Sequence, residues 1–223
     1  MPVTLKLAVC LFTHVTNLDY GGPLELLGFL RPEAVAAGYA TELDYIIEPT
    51  YLHYDLTPFR GSMVGPLIVP DRAYDDVKEG EQFDILLVPG GHGALPELVQ
   101  PSILNFLKRQ APGTKYVLSV CTGSWILAQA GLLDGKRATT NKAGFKLIQK
   151  ATETQPIEWV AKARWVVDGK TWTASGVTAG IDMANAFLTH LVGEETAKKI
   201  RGIVEAGVRA EGDDEYAEFY GLV

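Results

Sequence analysis

Apolar positions along the chain fall into two kinds of run. Continuous ones of strand length, LKLAVCLF (5–12), FDILLVPGG (83–91) and KYVLSVC (115–121), are rich in Val, Leu and Ile, and each stops at a turn or a helix start. They predict buried parallel strands. Helical patterns intervene at GPLELLGFLRPEAVAAG, QPSILNFLKRQA, GSWILAQAGLL and AGIDMANAFLTHLVG, with Pro or small residues near their starts and Gly near most of their ends. Strands alternating with helices at this spacing predict an α/β fold: a doubly wound, mostly parallel sheet with helices on both faces. Two segments break the alternation. FRGSMVGPLIVPDRAYDDV is punctuated by Gly and Pro and reads as a hairpin or loop. ARWVVDGKTWTASG reads as a hairpin in which Asp168-Gly169 separates two apolar runs as a type I′ turn would. In the acidic tail AEGDDEYAEFYGLV the pattern predicts a solvated start and a packed aromatic end.

A length of 223 residues fits one α/β unit spanning 1–223, because a chain of this size buries about 70% of its unfolded surface. The formal charge of −7 offers no basic field for a phosphate backbone, which argues against nucleic acid as a partner. No apolar stretch approaches the roughly 20 residues of a bilayer span, and MPVTLKLAVCLF lacks the features of a signal peptide, so the expectation is a cytoplasmic protein that does not engage a membrane. Two cysteines make no disulfide framework, and no CxxC or Cys/His cluster suggests zinc. No metal is expected.

In open α/β sheets ligands bind where the strands end, and the residues just after each apolar run are chemical. Cys121 follows YVLSV and precedes TGSWILA, the strand–nucleophile–helix arrangement that thrusts a side chain up from a tight turn. A helix start beside sulfur lowers a thiol pKa, so a reactive thiolate is expected there, against the alternative of a small buried core residue. Cys10, inside the first strand, reads as core. After DILLVP, GGHG offers backbone N–H groups, and Gly91 with the N–H of Thr122 would form an oxyanion hole; alternatively the pair only serves a tight turn. His92 in this loop is either an exposed histidine or an acid/base. Beyond the first strand, Asp19 and Glu25 flank a Gly-Gly-Pro helix start, each able to reach toward Cys121 or merely to complement the helix. His14 falls near the strand tops, His53 in a loop and His190 in a helix.

Together NLDYGGPLELL, LLVPGGHG, VCTGSWILAQAGLLDGKRATTN and GVTAGIDMA resemble the ThiJ/PfpI (class I glutamine-amidotransferase-like) superfamily, and within it the isonitrile hydratase-like branch, from about residue 5 to 200. The resemblance implies a flavodoxin-like homodimer with no cofactor that acts on a small-molecule substrate. It places the nucleophile at Cys121, a neighbouring hydroxyl and N–H at Thr122, the first-strand carboxylic acid at Asp19 and the oxyanion loop at Gly91; Gly91, His92 and Glu25 are the candidate substrate contacts. Many members of that branch carry His after RATT, where this chain has Asn141, and the His/Glu pair of the glutaminase relatives is missing from TASGVTAGID. The implied chemistry is hydration of an isonitrile to an N-substituted formamide. Two alternatives stand beside it: a glyoxalase or deglycase on α-oxoaldehydes, which would need Glu25 to face Cys121, and a redox-sensing cysteine dimer without turnover.

Overall fold

The computed structural model describes residues 2–39, 43–62 and 65–223. In chain order its strands are β1 (Val3–Cys10), β2 (Tyr45–His53), β3 (Phe59–Arg60), β4 (Leu67–Ile68), β5 (Arg72–Ala73), β6 (Ile85–Val88), β7 (Tyr116–Val120), β8 (Arg137–Ala138), β9 (Glu158–Trp159), β10 (Trp165–Asp168) and β11 (Thr171–Ala174). The helices are α1 (Asn17–Leu27), α2 (Pro32–Ala36), α3 (Pro101–Gln110), α4 (Gly123–Gln129), α5 (Phe145–Ala151), α6 (Thr178–Val204) and α7 (Tyr216–Phe219). Seven strands form the central sheet in the order β10-β11-β7-β6-β1-β2-β5, parallel throughout except for the β10–β11 edge.

Burial explains the continuous apolar runs. Ile85, Leu86, Leu87 and Val88 of β6 are all fully buried, so both faces of this central strand lie under cover and neither tolerates a polar residue. On α3 the buried residues Ile103, Phe106, Leu107 and Gln110 recur at helical spacing, leaving Lys108 and Arg109 at the dipole's negative end. Each such apolar side chain contributes about 1.5–3 kcal/mol by burial.

Several elements depart from the sequence pattern. Helix α1 begins at Asn17, so Gly-Gly-Pro lies inside the helix and Asp19 in its first turn. Gly22 serves packing: a Cβ built there would lie 2.6 Å from Ile181 Cγ1, and its absence lets α1 close on α6. Strand β2, with Glu48 and Pro49 in its middle, gives no alternating signal, yet it pairs with β1 along its whole length. The predicted hairpin at β10–β11 is present, but Asp168 pairs with Thr171, so the turn is Gly169-Lys170. Only Gly169 has positive φ (60°), which is not the type I′ turn expected. The Gly- and Pro-rich segment forms the β3–β4 hairpin, with Met63 and Val64 outside the described residues. Within α6 the first helix ends at Gly193 (φ 76°, ψ 163°), where the sequence pattern ends it, and a second helix runs on from there to Val204. In the tail Asp214 and Ala217 are the buried residues, whereas Phe219, Tyr216 and Tyr220 are exposed, because the anchor is an ion pair and not an aromatic cluster. His53, placed in a loop by its sequence context, is the buried last residue of β2 and stacks on Phe59.

Candidate active site

The carboxyl ends of β1, β6, β7 and β11 converge on one sulfur. Cys121 stands directly after β7 with φ 59°, a left-handed conformation that a non-glycine residue holds only when its surroundings impose it. Those surroundings are hydrogen bonds on both sides of the residue. Its N–H donates to Ser175 O (2.8 Å) and Ala174 O (3.1 Å), and its carbonyl accepts from Ser124 Oγ (3.0 Å) and Thr140 Oγ1 (3.1 Å). Val177, just past β11, is also strained (φ 28°, ψ −79°) and turns its N–H toward the sulfur; the Thr122 N–H does the same from the α4 side.

Asp19 faces the sulfur from α1. It is fully buried, its Oδ2 accepts from the Gly90 N–H (2.9 Å), and the Cys121 thiol touches the carboxyl electrostatically. Burial pushes the Asp19 pKa up to about 7, against the pull of the Gly90 N–H and the thiol. Cys121 moves the same way. Burial, and then the charge of Asp19, raise it to about 12, outweighing the N–H groups of Thr122 and Val177. Burial and the neighbouring acid thus work against the thiolate that a helix start would favour, and α4 is only seven residues long. The pair is therefore a thiol with a proton acceptor already in place, at a pKa suited to exchange near neutrality.

The glycine loop differs from the proposed oxyanion hole. The Gly91 N–H donates to Thr122 Oγ1 (2.9 Å) and the Thr122 hydroxyl donates back to Gly91 O (3.1 Å), so the Gly91 donor is committed. The pair is needed for closeness: a Cβ at Gly90 would lie 2.5 Å from Thr122 N, and one at Gly91 (φ 143°) would collide with His14 O. The donors that reach the sulfur belong to Thr122 and Val177. Val177 escaped the sequence reading, although its place just after a strand is the signal that singled out Cys121.

Above the sulfur opens a cavity of about 650 Å³ whose apolar wall includes Leu18, Leu95, Trp125, Leu147 and Ile148, with Gly91, His92, Asn141 and Val177 at its polar points. Helix α5, which supplies Leu147 and Ile148, carried no chemical signal in the sequence. His92 is exposed at the rim, its ring 6.2 Å from that of His14. Glu25 does not join the site. It is exposed on α1 and lines a different cavity, with Tyr20, Tyr51 and Arg31. Among the described residues no group of three or more His, Cys, Asp or Glu side chains is placed to hold a metal ion.

A parallel α/β sheet with a strained cysteine at the tip of a central strand defines a class of proteins that work at the strand ends. The chain belongs to the DJ-1/PfpI family, whose model matches residues 6–190. It is 35% identical to an isonitrile hydratase from Pseudomonas putida over 199 residues, which is 89% of this chain and 77% of that protein. It is 30% identical to the HTH-type transcriptional regulator GbdR of Pseudomonas aeruginosa over 63% of this chain but 35% of the regulator. Its fold matches the crystal structure of a ThiJ/PfpI family protein from Pseudomonas syringae with a TM-score of 0.78 at 23% identity, covering 100% of this chain and 87% of that one.

Proposed function

We propose that this protein hydrates a small organic isonitrile to an N-substituted formamide, as a lyase that calls only on its own side chains. The observation that carries the reading is the placement of Cys121 in the wall of an apolar cavity with the buried Asp19 carboxyl against its thiol. The Asp19 carboxylate takes the thiol proton as sulfur attacks the terminal isonitrile carbon, and the C–S bond forms. That carbon then receives the proton from Asp19, giving an S-linked thioformimidate. Water adds to the same carbon, losing a proton to Asp19, which passes it on to the nitrogen and is a carboxylate again. Collapse of the adduct breaks the C–S bond, returns a proton to sulfur and releases the formamide. The sum is one isonitrile plus one water. The Thr122 and Val177 N–H groups favour the charged sulfur as it forms and departs. A cavity with mainly aliphatic and aromatic walls suits a substrate whose only polar atoms sit at the reacting end.

The kinship with the Pseudomonas putida hydratase supports this reading, and the position of Glu25 weighs against the α-oxoaldehyde alternative, which needs that carboxyl at the sulfur. The test is to incubate purified protein, and Cys121→Ser beside it, with a small isonitrile and with methylglyoxal. Formamide produced by the wild type alone is the expected result. Consumption of methylglyoxal through Cys121 with no formamide would replace this reading by the glyoxalase one, and reversible oxidation without turnover of either would favour the redox sensor.

A further inference from the structure

A second cavity, of about 210 Å³, lies behind the first and shares two of its wall residues, Asn141 and Val177. Its wall carries a larger share of polar groups. Ser175, Thr178, Asp214 and Tyr216 line it, with Lys142 and Arg164 among the surrounding side chains, and its outer end runs past the exposed Ala143, Tyr216 and Tyr220 under the C-terminal tail. The charge of each cation is balanced by a carboxylate, Asp214 for Lys142 and Asp182 for Arg164. Lys142 Nζ contacts Thr139 Oγ1 (2.8 Å), Ala163 O (2.8 Å) and Asp214 Oδ2 (3.1 Å). Arg164 binds Asp182 through Nε (2.7 Å) and Thr178 Oγ1 through Nη2 (3.3 Å). What fits a narrow, charge-balanced cavity with hydroxyls along its length is a neutral molecule that both donates and accepts, in a space sufficient for a short file of waters.

We infer that this polar cavity is the inlet for the water that resolves the Cys121 adduct, separate from the apolar cavity that admits the substrate. The inference rests on the proposed hydration for its purpose, and on the shared wall for its geometry. A substrate seated between Trp125, Leu147 and Ile148 displaces water from that side of the sulfur, yet the second half of the reaction consumes a water at the carbon bonded to sulfur. Ser175 and Val177, which line this cavity, contact Cys121, Ser175 through the Cys121 N–H and Val177 through the sulfur, so the inner end of the cavity lies one residue away from the reacting atoms.

The test separates attack from resolution. Ala143→Trp plugs the outer end from an exposed position, and Asn141→Leu closes the inner wall. Each variant is acylated with p-nitrophenyl benzoate: the sulfur attacks the ester carbonyl, p-nitrophenolate leaves, and water later converts the S-benzoyl cysteine to benzoate and thiol. This probe does not depend on isonitrile turnover. The expected result is p-nitrophenolate release from Ala143→Trp within about twofold of wild type, with decay of the S-benzoyl adduct, followed by intact mass, at least 10-fold slower; in Asn141→Leu the ratio of decay to acylation falls by the same factor. With an isonitrile, both variants should accumulate an adduct heavier by the mass of the whole substrate. Adduct decay within twofold of wild type in both variants overturns the inlet, as does slowing of both halves by one factor. Absence of isonitrile turnover in the wild type with slowed debenzoylation in the variants leaves the inlet standing and removes the hydratase reading.

Discussion

Asp19 is a carboxyl that burial has moved to about pH 7, and two consequences follow at the scale of this residue. In the attack step it must be ionised, so kcat/KM for isonitrile hydration is expected to rise with pH and level off above about 7, without the descending limb that a thiol titrating in the accessible range would give. Asp19→Asn keeps the shape and the acceptor for the Gly90 N–H while removing the titratable proton; it should slow turnover by roughly 10²–10⁴-fold and erase the inflection. The second consequence concerns stability. Between the unfolded carboxyl's ordinary pKa near 4 and the folded value near 7 the native state holds a proton that the unfolded state has released, so wild-type stability falls as pH rises through that window and is level above it. Denaturant unfolding at pH 8 should therefore show Asp19→Asn more stable than wild type, on the order of 2–4 kcal/mol, with the difference fading by pH 4. A variant less stable at both pH values would mean that the carboxylate is held favourably after all.

At the scale of elements, the site depends on how closely the loop after β6 approaches the start of α4. A methyl group at position 90 would meet the Thr122 backbone and the Cys121 Cβ, neither of which can rotate away. Gly90→Ala should accordingly cost about 1–3 kcal/mol, a loss of several degrees in a thermal melt, and should lower kcat along with stability because the Gly90 N–H that holds Asp19 moves as well. An alanine variant with unchanged melting and turnover would show that the loop has slack.

Across the whole molecule, the acidic tail is fastened to the body by Lys142 and Asp214, whose side chains are 3% and 2% exposed. Burial pulls the Lys142 pKa down while Asp214 holds it up, the signature of a cation that depends on its partner. Asp214→Ala leaves that cation unpaired in the interior and should destabilise by about 3–5 kcal/mol, whereas Lys142→Met combined with Asp214→Leu should recover most of the loss. Equal destabilisation in the single and double variants would show that packing of the tail, not charge, is what counts. The assembly is expected to be a homodimer that does not bind DNA. Light scattering should give twice the 24.2 kDa chain mass, and a monomer at micromolar concentration would refute the expectation.

The strand-length apolar runs of β1, β6 and β7, the α/β alternation and the place of Cys121 at a strand end were legible in the sequence because each follows from local chemistry: β-branched and Leu-rich segments bury on both faces, and small residues begin helices. The β2 strand was not legible, since Glu48 and Pro49 break its pattern and only pairing with β1 makes it a strand. The choice between Asp19 and Glu25 also lay beyond the sequence. Six residues apart on one helix, they differ by about 240° around its axis, and only the packing of α1 against α6, through Gly22 and Ile181, decides which carboxyl faces the sulfur. The state of that sulfur was decided at the same level. A helix start favours a thiolate locally, but the desolvation and the acid that override it come from segments about a hundred residues away, which meet only once the sheet has folded.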